Sequence, residues 1–88
     1  IMKTRERVSA KLKTMGFCVI DSQANFIFIS HAQCPGNVLF QRLRGEGILV
    51  RYFNKPKIDN FIRVTVGTDE EMDRFLEVVS VICKTQAC

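Results

Sequence analysis

Two arginines in this sequence stand inside short apolar segments that are typical of β-strands. Arg51 interrupts "ILVRYF" at residues 48–53, and Arg63 interrupts "FIRVTV" at residues 61–66. A guanidinium group is planar, stays charged at physiological pH, and matches a carboxylate or a phosphate with two parallel hydrogen bonds. Two such groups on rigid strands, in partly apolar surroundings, could therefore bind a dianion if both project from the same face of one sheet.

The alternation of side chains along each strand predicts the face that each arginine occupies. Successive residues of a strand point to opposite faces of its sheet. In the second segment Ile62, Val64 and Val66 share the face that must meet a core, so Arg63 projects from the other face. The same rule places Arg51 opposite its own core-facing neighbours. If the two strands are adjacent, both guanidinium groups lie on the face that no helix covers.

A purely structural role for the two arginines is the alternative interpretation. Each could form a salt bridge within the fold, for instance with Glu46 or Asp59. For either arginine alone we favour the salt bridge. Their shared face makes an anion-binding site equally well supported.

The rest of the chain predicts the elements that position these strands. Thr68 and Glu71 stand three residues apart, which is typical of a capping box at the start of a helix, and an amphipathic pattern follows them. We predict helices at residues 3–15, at residues 35–44 and after Thr68, and strands at residues 17–20, 26–30, 48–53 and 61–66. The predicted fold is α+β, with the order α-β-β-α-β-β-α: a small antiparallel or mixed four-stranded sheet with helices packed on one face.

Composition and charge narrow the class of protein. The 88 residues are 47% hydrophobic and 25% charged, which fits one globular domain over residues 1–88, and no apolar run is long enough for a membrane span. A net charge of +4 is compatible with nucleic-acid binding. However, the basic residues cluster in the first predicted helix, and neither an RNP-type segment nor a GXXG loop occurs. We therefore expect neither a nucleic-acid partner nor a membrane partner.

The cysteines and the single histidine do not form a recognisable chemical site. The four cysteines have no C-x-x-C spacing, and His31 has no partner at metal-ligand spacing, so we predict no metal site. Free thiols in a reducing cytoplasm are the simplest account of these cysteines. Cys18 and Cys83 fall at apolar positions and are predicted to be core residues. No nucleophile–base pair can be assembled, so no catalytic residue is predicted in this chain.

Three segments of the chain, "SQANFIFI", "LRGEGILVRYF" and "FIRVTVGTDEEMDRFLEVV", have an order and a spacing that resemble one enzyme family. They are similar to the C-terminal small domain of the histidinol-phosphate aminotransferases, which are fold-type I enzymes that depend on pyridoxal phosphate. The resemblance covers roughly Thr4 to Lys84, and the two arginine-bearing segments contribute most to it. Because the chain starts at Ile1 directly inside a helical pattern, we expect it to be a piece of a longer protein.

The resemblance implies a role for each arginine. Arg63 matches the family arginine that holds the α-carboxylate of the amino-acid substrate. Arg51 matches a second arginine, which is associated with the phosphate of histidinol phosphate and the distal carboxylate of glutamate. The implied reaction converts histidinol phosphate and 2-oxoglutarate to imidazole acetol phosphate and glutamate, in histidine biosynthesis, in a cytoplasmic homodimer.

The same resemblance implies what this chain does not supply. In the family, the lysine that forms the Schiff base, the acidic residue at the pyridine nitrogen and the phosphate cup belong to the large domain, and no segment here resembles them. The chain would then hold no cofactor-binding residue and would be inactive alone. Its partners would be a small phosphate- or carboxylate-bearing substrate and the large domain of its parent chain. A related threonine-phosphate decarboxylase domain, or a free-standing basic α+β module for nucleic acid or a small ligand, stays an alternative.

Overall fold

In the computed structural model of the chain, residues 2–21 and 25–86 are described, and they form three helices and one four-stranded sheet. The elements are α1 (Met2–Thr14), β1 (Phe17–Asp21), β2 (Phe26–His31), α2 (Gly36–Gly45), β3 (Val50–Tyr52), β4 (Ile62–Thr65) and α3 (Asp69–Gln86). The predicted α+β fold and its order α-β-β-α-β-β-α are confirmed. Strand β3 begins later than predicted because the N–H of Ile48 donates to the carbonyl of Leu43 at 3.0 Å, a bond that closes the turn after α2.

The sheet has the strand order β1-β2-β4-β3, and each neighbouring pair is antiparallel. The two arginine-bearing strands are therefore adjacent, which meets the condition for a shared arginine face, with β4 in the interior of the sheet and β3 at its edge. One row of register partners crosses the sheet: Ile20 faces Phe28, Phe28 faces Arg63, and Arg63 faces Arg51. We call the face that carries this row the open face.

The core lies between the opposite face of the sheet and the helices. Ile62 and Val64 of β4 are fully buried there, as the alternation of this strand predicts. Burial of one such side chain contributes about 1.5–3 kcal/mol. The fully buried apolar residues that meet them from other elements are Val8, Leu12, Ile27, Ile29, Leu39, Leu43, Phe75 and Val79. All three helices thus pack on one face, and the arginines lie on the other.

The helix ends follow the signals in the sequence. Thr68 and Glu71 form the predicted capping box: the N–H of Thr68 donates to Oε1 of Glu71 at 2.9 Å, and the N–H of Glu71 donates to Oγ1 of Thr68 at 3.1 Å. Pro35, predicted as the first residue of α2, is its N-cap residue, so the helix begins one residue later than predicted. Gly16 follows α1 with φ of +91°, a conformation that favours glycine. The capping box fixes the start of α3 directly after β4.

The two cysteines predicted to lie in the core have different environments. Cys83 of α3 is buried, which confirms its prediction, whereas Cys18 of β1 is exposed, so its prediction is wrong. The reason is the phase of the strand, because Phe17 occupies the core face and Cys18 therefore points to the open face. Within residues 2–21 and 25–86, no helix has both the length and the apolar character needed to cross a membrane.

Candidate anion-binding site

Arg51 and Arg63 lie directly opposite each other on β3 and β4. Opposed residues of an antiparallel pair point to the same face, with Cβ atoms about 4.5–5.5 Å apart. Arg63, on the interior strand, is partly buried, whereas Arg51, on the edge strand, is exposed. The sequence-based prediction that the two side chains share the face without helices is confirmed.

The salt bridges that the alternative interpretation required are not formed among the described residues. Glu46 pairs with Arg74, at 3.5 Å, and Asp59 pairs with neither arginine of the site. Nε of Arg63 is buried and has no hydrogen-bond partner in the described part of the chain. A buried donor without an acceptor costs about 1–3 kcal/mol. A bound group that places an acceptor at this Nε would recover that cost.

Two phenylalanine rings contact the guanidinium of Arg63. Its Cζ atom lies 4.3 Å from the ring centroid of Phe26 and 5.8 Å from that of Phe53. A guanidinium is attracted to the face of an aromatic ring, and the rings also keep water away from it. The sequence-based prediction of the site did not include Phe26 or Phe53. The strand alternation was the signal that could have done so.

A pocket of about 550 Å³ opens beside the arginines. Among the described residues, its lining includes Arg44, Arg51 and Arg63 and contains no acidic residue. Arg44, at the end of α2, is a site residue that sequence reasoning missed; its guanidinium lies 5.6 Å from the ring of Phe40. Only the packing of α2 beside β3 brings it to the pocket. Three positive charges without a carboxylate produce a local potential that attracts anions.

The groups with shifted pKa values lie away from this pocket. Hydrogen bonds from Thr4 and Arg7 hold the pKa of Asp69 below its usual value, at the junction of α1 and α3. Burial raises the pKa of the Cys34 thiol and raises the pKa of Cys83 to about 12. In the described ranges, no three His, Cys, Asp or Glu side chains are grouped to hold a metal ion. The arrangement at the pocket is therefore suited to binding and orienting an anion.

Comparison with known proteins identifies the family. A family model described as aminotransferase class I and II matches residues 1–79. The chain belongs to this family. It is 52% identical over 84 residues to the histidinol-phosphate aminotransferase of Brachyspira hyodysenteriae, which covers 96% of this chain and 24% of that protein. The resemblance that the three sequence segments indicated is confirmed.

Two solved structures have the same fold as this aminotransferase-family chain. The histidinol-phosphate aminotransferase from Clostridium acetobutylicum superposes with a TM-score of 0.84 and 25% identity, over 97% of this chain and 27% of that one. A decarboxylase from Sulfurospirillum multivorans superposes with a TM-score of 0.74 and 26% identity, over 92% of this chain and 24% of that one. The chain spans about a quarter of the length of the curated relatives that it matches.

Aminotransferases of this family generally use pyridoxal phosphate, which needs a lysine amine to form its imine. No lysine is found among the described residues that line the pocket beside Arg51 and Arg63. Lys11 and Lys13 are exposed on α1, which packs with the helices behind the sheet. The site residues of this chain therefore do not fit the cofactor itself. They fit an anionic group that approaches the open face.

Proposed function

We propose that this chain is the C-terminal small domain, over residues 1–88, of a pyridoxal-phosphate-dependent aminotransferase that acts on histidinol phosphate and 2-oxoglutarate. Arg63 would bind the α-carboxylate of the amino-acid substrate, and Arg51 the phosphate of histidinol phosphate or the distal carboxylate of glutamate. The observation that carries this proposal is the in-register pair on the open face, in which Nε of Arg63 is buried without a partner.

The contribution of this chain to such a reaction is positioning. Pyridoxal phosphate, when bound by the remainder of the parent chain, supplies the electron sink. A bidentate guanidinium holds a carboxylate in one plane, and a second guanidinium fixes the other anionic end of the substrate. A substrate held at two points keeps its amine in one place, which lowers the barrier by removing rotational and translational freedom before the chemical step.

The remainder of the parent chain is the proposed cover for the open face. Ile20 and Leu49 are 50% and 76% exposed. Phe28 is half-buried between Ile20 and Arg63. A large domain packed there would bury this apolar surface and bring the cofactor lysine to the anion-binding pocket. A cytoplasmic homodimer of the parent chain is part of the same proposal.

The test is a substitution in the full-length protein that carries these residues. Arg63→Ala should lower kcat/KM for histidinol phosphate. The loss should correspond to about 2–5 kcal/mol of transition-state binding, because a charged partner of a partly buried anion is lost. Arg42→Ala is the matched control, since Arg42 is an exposed arginine of α2 that lines a different surface with Glu46 and Arg74. An effect of less than twofold for Arg63→Ala would remove Arg63 from the site. A coding sequence that begins at Met2 would contradict the proposed parent chain.

Decarboxylation is the second candidate, and the fold match to the Sulfurospirillum multivorans decarboxylase favours it. Both reactions would use Arg51 and Arg63 to hold an anionic substrate. They differ in product, because amino transfer forms glutamate from 2-oxoglutarate, whereas decarboxylation releases carbon dioxide. Two incubations of the full-length protein distinguish them: histidinol phosphate with 2-oxoglutarate should give glutamate if it is an aminotransferase, and threonine phosphate alone should give carbon dioxide if it is a decarboxylase.

A further inference from the structure

The side chain of Arg63 is restrained although no described carboxylate binds it. An arginine has several rotatable bonds and loses about 2 kcal/mol of rotamer entropy when it is held in place. In this fold the restraint comes from the aromatic contacts, at 4.3 Å from Phe26 and at 5.8 Å from Phe53. Phe26 belongs to β2, and Phe53 directly follows β3, so the rings come from the two sides of β4. The guanidinium is thus bracketed by its neighbouring strands.

Aromatic contacts leave the hydrogen-bond donors of a guanidinium available. The N–H bonds lie in the plane of the group and point outward from its edges, whereas a ring is contacted through its face. A carboxylate partner within the fold would use two donors and add a negative charge that repels a substrate anion. A ring fixes the orientation without either effect.

Phe26 makes the shorter of the two contacts, and its position in the sheet explains why. Its register partner on β4 is Thr65, two residues from Arg63, so its ring approaches the guanidinium diagonally across one face of the sheet. Phe28 is the direct register partner of Arg63, but its ring contacts Phe53, with centroids 6.4 Å apart. The diagonal position, rather than proximity in register, places a ring over the guanidinium.

We propose that Phe26 is a positioning residue for Arg63, and that its ring holds the guanidinium with one edge directed at the substrate carboxylate. This inference rests on the proposed function of Arg63. It assigns to Phe26 a role in substrate affinity that acts through Arg63 and does not involve contact with the reacting atoms. Phe53 adds a second, longer contact to the same group.

The test uses the full-length enzyme and the KM for 2-oxoglutarate, with kcat measured in parallel. Phe26→Leu removes the ring and should raise KM about 3- to 30-fold with a smaller change in kcat, the range expected for a lost cation–π contact. Phe26→Tyr keeps the ring and should restore KM to within twofold. Phe28→Leu is the matched control, because Phe28 is a half-buried phenylalanine on the same face, and the described rings that lie over the guanidinium are those of Phe26 and Phe53.

A series of fluorinated phenylalanines at position 26 separates the ring's electrostatics from its shape. One, two and three fluorine atoms weaken the negative face of the ring progressively, and KM should rise with each. This series also answers the question if Phe26→Leu fails to fold. A KM that does not change along the series would overturn the inference, as would equal effects of Phe26→Leu and Phe28→Leu.

Combination with Arg63→Ala distinguishes this inference from the proposed function beneath it. If Phe26 acts through Arg63, Phe26→Leu should cause no further rise in KM once Arg63 is alanine. An equal rise in both backgrounds would show that Phe26 acts on the fold alone, and the inference would be wrong while the role of Arg63 stands. If Arg63→Ala itself leaves KM unchanged, the proposed function fails first.

Discussion

Removal of one charge from the opposed arginines should stabilise the fold when no anion is bound. Arg51 and Arg63 are direct register partners on one face, and no described carboxylate forms a salt bridge with either. Like charges placed opposite each other across two strands destabilise a sheet. Arg51→Gln keeps a long polar side chain on the edge strand while it removes this repulsion.

The size of the effect follows from the geometry of the pair. If the long side chains spread to a charge separation of about 7 Å, the repulsion in water is about 0.6 kcal/mol. Partial burial of Arg63 lowers the effective dielectric constant and raises this figure toward about 1 kcal/mol. In 0.15 M salt, screening over a Debye length of about 8 Å reduces the repulsion of about 0.6 kcal/mol in water to about 0.3 kcal/mol.

A double-mutant cycle measures this repulsion without the other effects of each substitution. Urea unfolding of the 88-residue chain, of Arg51→Gln, of Arg63→Gln and of the double variant should give an unfavourable coupling energy that shrinks as sodium chloride is added. Inorganic phosphate at equal ionic strength should make the coupling favourable, because one dianion then bridges both groups. A cycle between Arg51 and Arg42 should show no coupling.

The result that refutes this reasoning is a coupling energy near zero at low salt. Independence from salt would have the same meaning, since it would show that the two guanidinium groups do not face each other. A coupling that phosphate and chloride change equally would leave the repulsion intact but contradict the anion-binding pair.

The remaining predictions concern the core and its thiols. Cys18 should react rapidly with a thiol reagent in the folded protein, whereas Cys34 and Cys83 should react only on unfolding, because burial raises the pKa of both buried thiols. Labelling in a Cys88→Ser background, followed by mass spectrometry, measures the three rates. Equal rates at all three cysteines would contradict the prediction. The free energy of unfolding should fall as the pH rises from 9 to about 12. In the fold Cys83 stays neutral up to its pKa of about 12, whereas in the unfolded chain it ionises around the ordinary thiol pKa of 9.0. A Cys83→Ala variant with an equally steep decline would exclude this thiol as the cause. Phe75→Ala should lower the free energy of unfolding by about 3–5 kcal/mol, because Phe75 is a fully buried large side chain of the core. Urea unfolding measures this loss. A loss below about 1 kcal/mol would contradict the prediction and show that the core closes around the gap.

The face occupied by Arg63 could be predicted from the sequence because covalent geometry alone sets the two-residue period of a strand. Once Ile62 and Val64 are assigned to the core, Arg63 has no other face to occupy. The start of α3 was predictable for a similar reason, because the capping box at Thr68 and Glu71 is a local arrangement.

The parts of the site that depend on packing between distant segments could not be predicted. The exact register of Arg51 against Arg63 depends on the path of the connection between β3 and β4, which no local pattern specifies. Arg44 reaches the pocket only because α2 packs beside β3, and in the sequence it is simply the last polar residue of a helix. The prediction for Cys18 is wrong because every residue around it in β1 up to Ile20 is apolar, so the sequence does not show which of the two alternating sets faces the core.

The strand order links the anion-binding site to the completion of folding. Among the four described strands, β4 comes last in sequence, yet it lies between β2 and β3. A ribosome-bound chain that has not yet released residues 62–65 can pair β1 with β2, but β3 has no described neighbour to join. Arg63, which would bind the substrate carboxylate, therefore lies on the strand that joins β2 to β3. A chain without residues 62–65 has neither Arg63 nor a continuous four-stranded sheet.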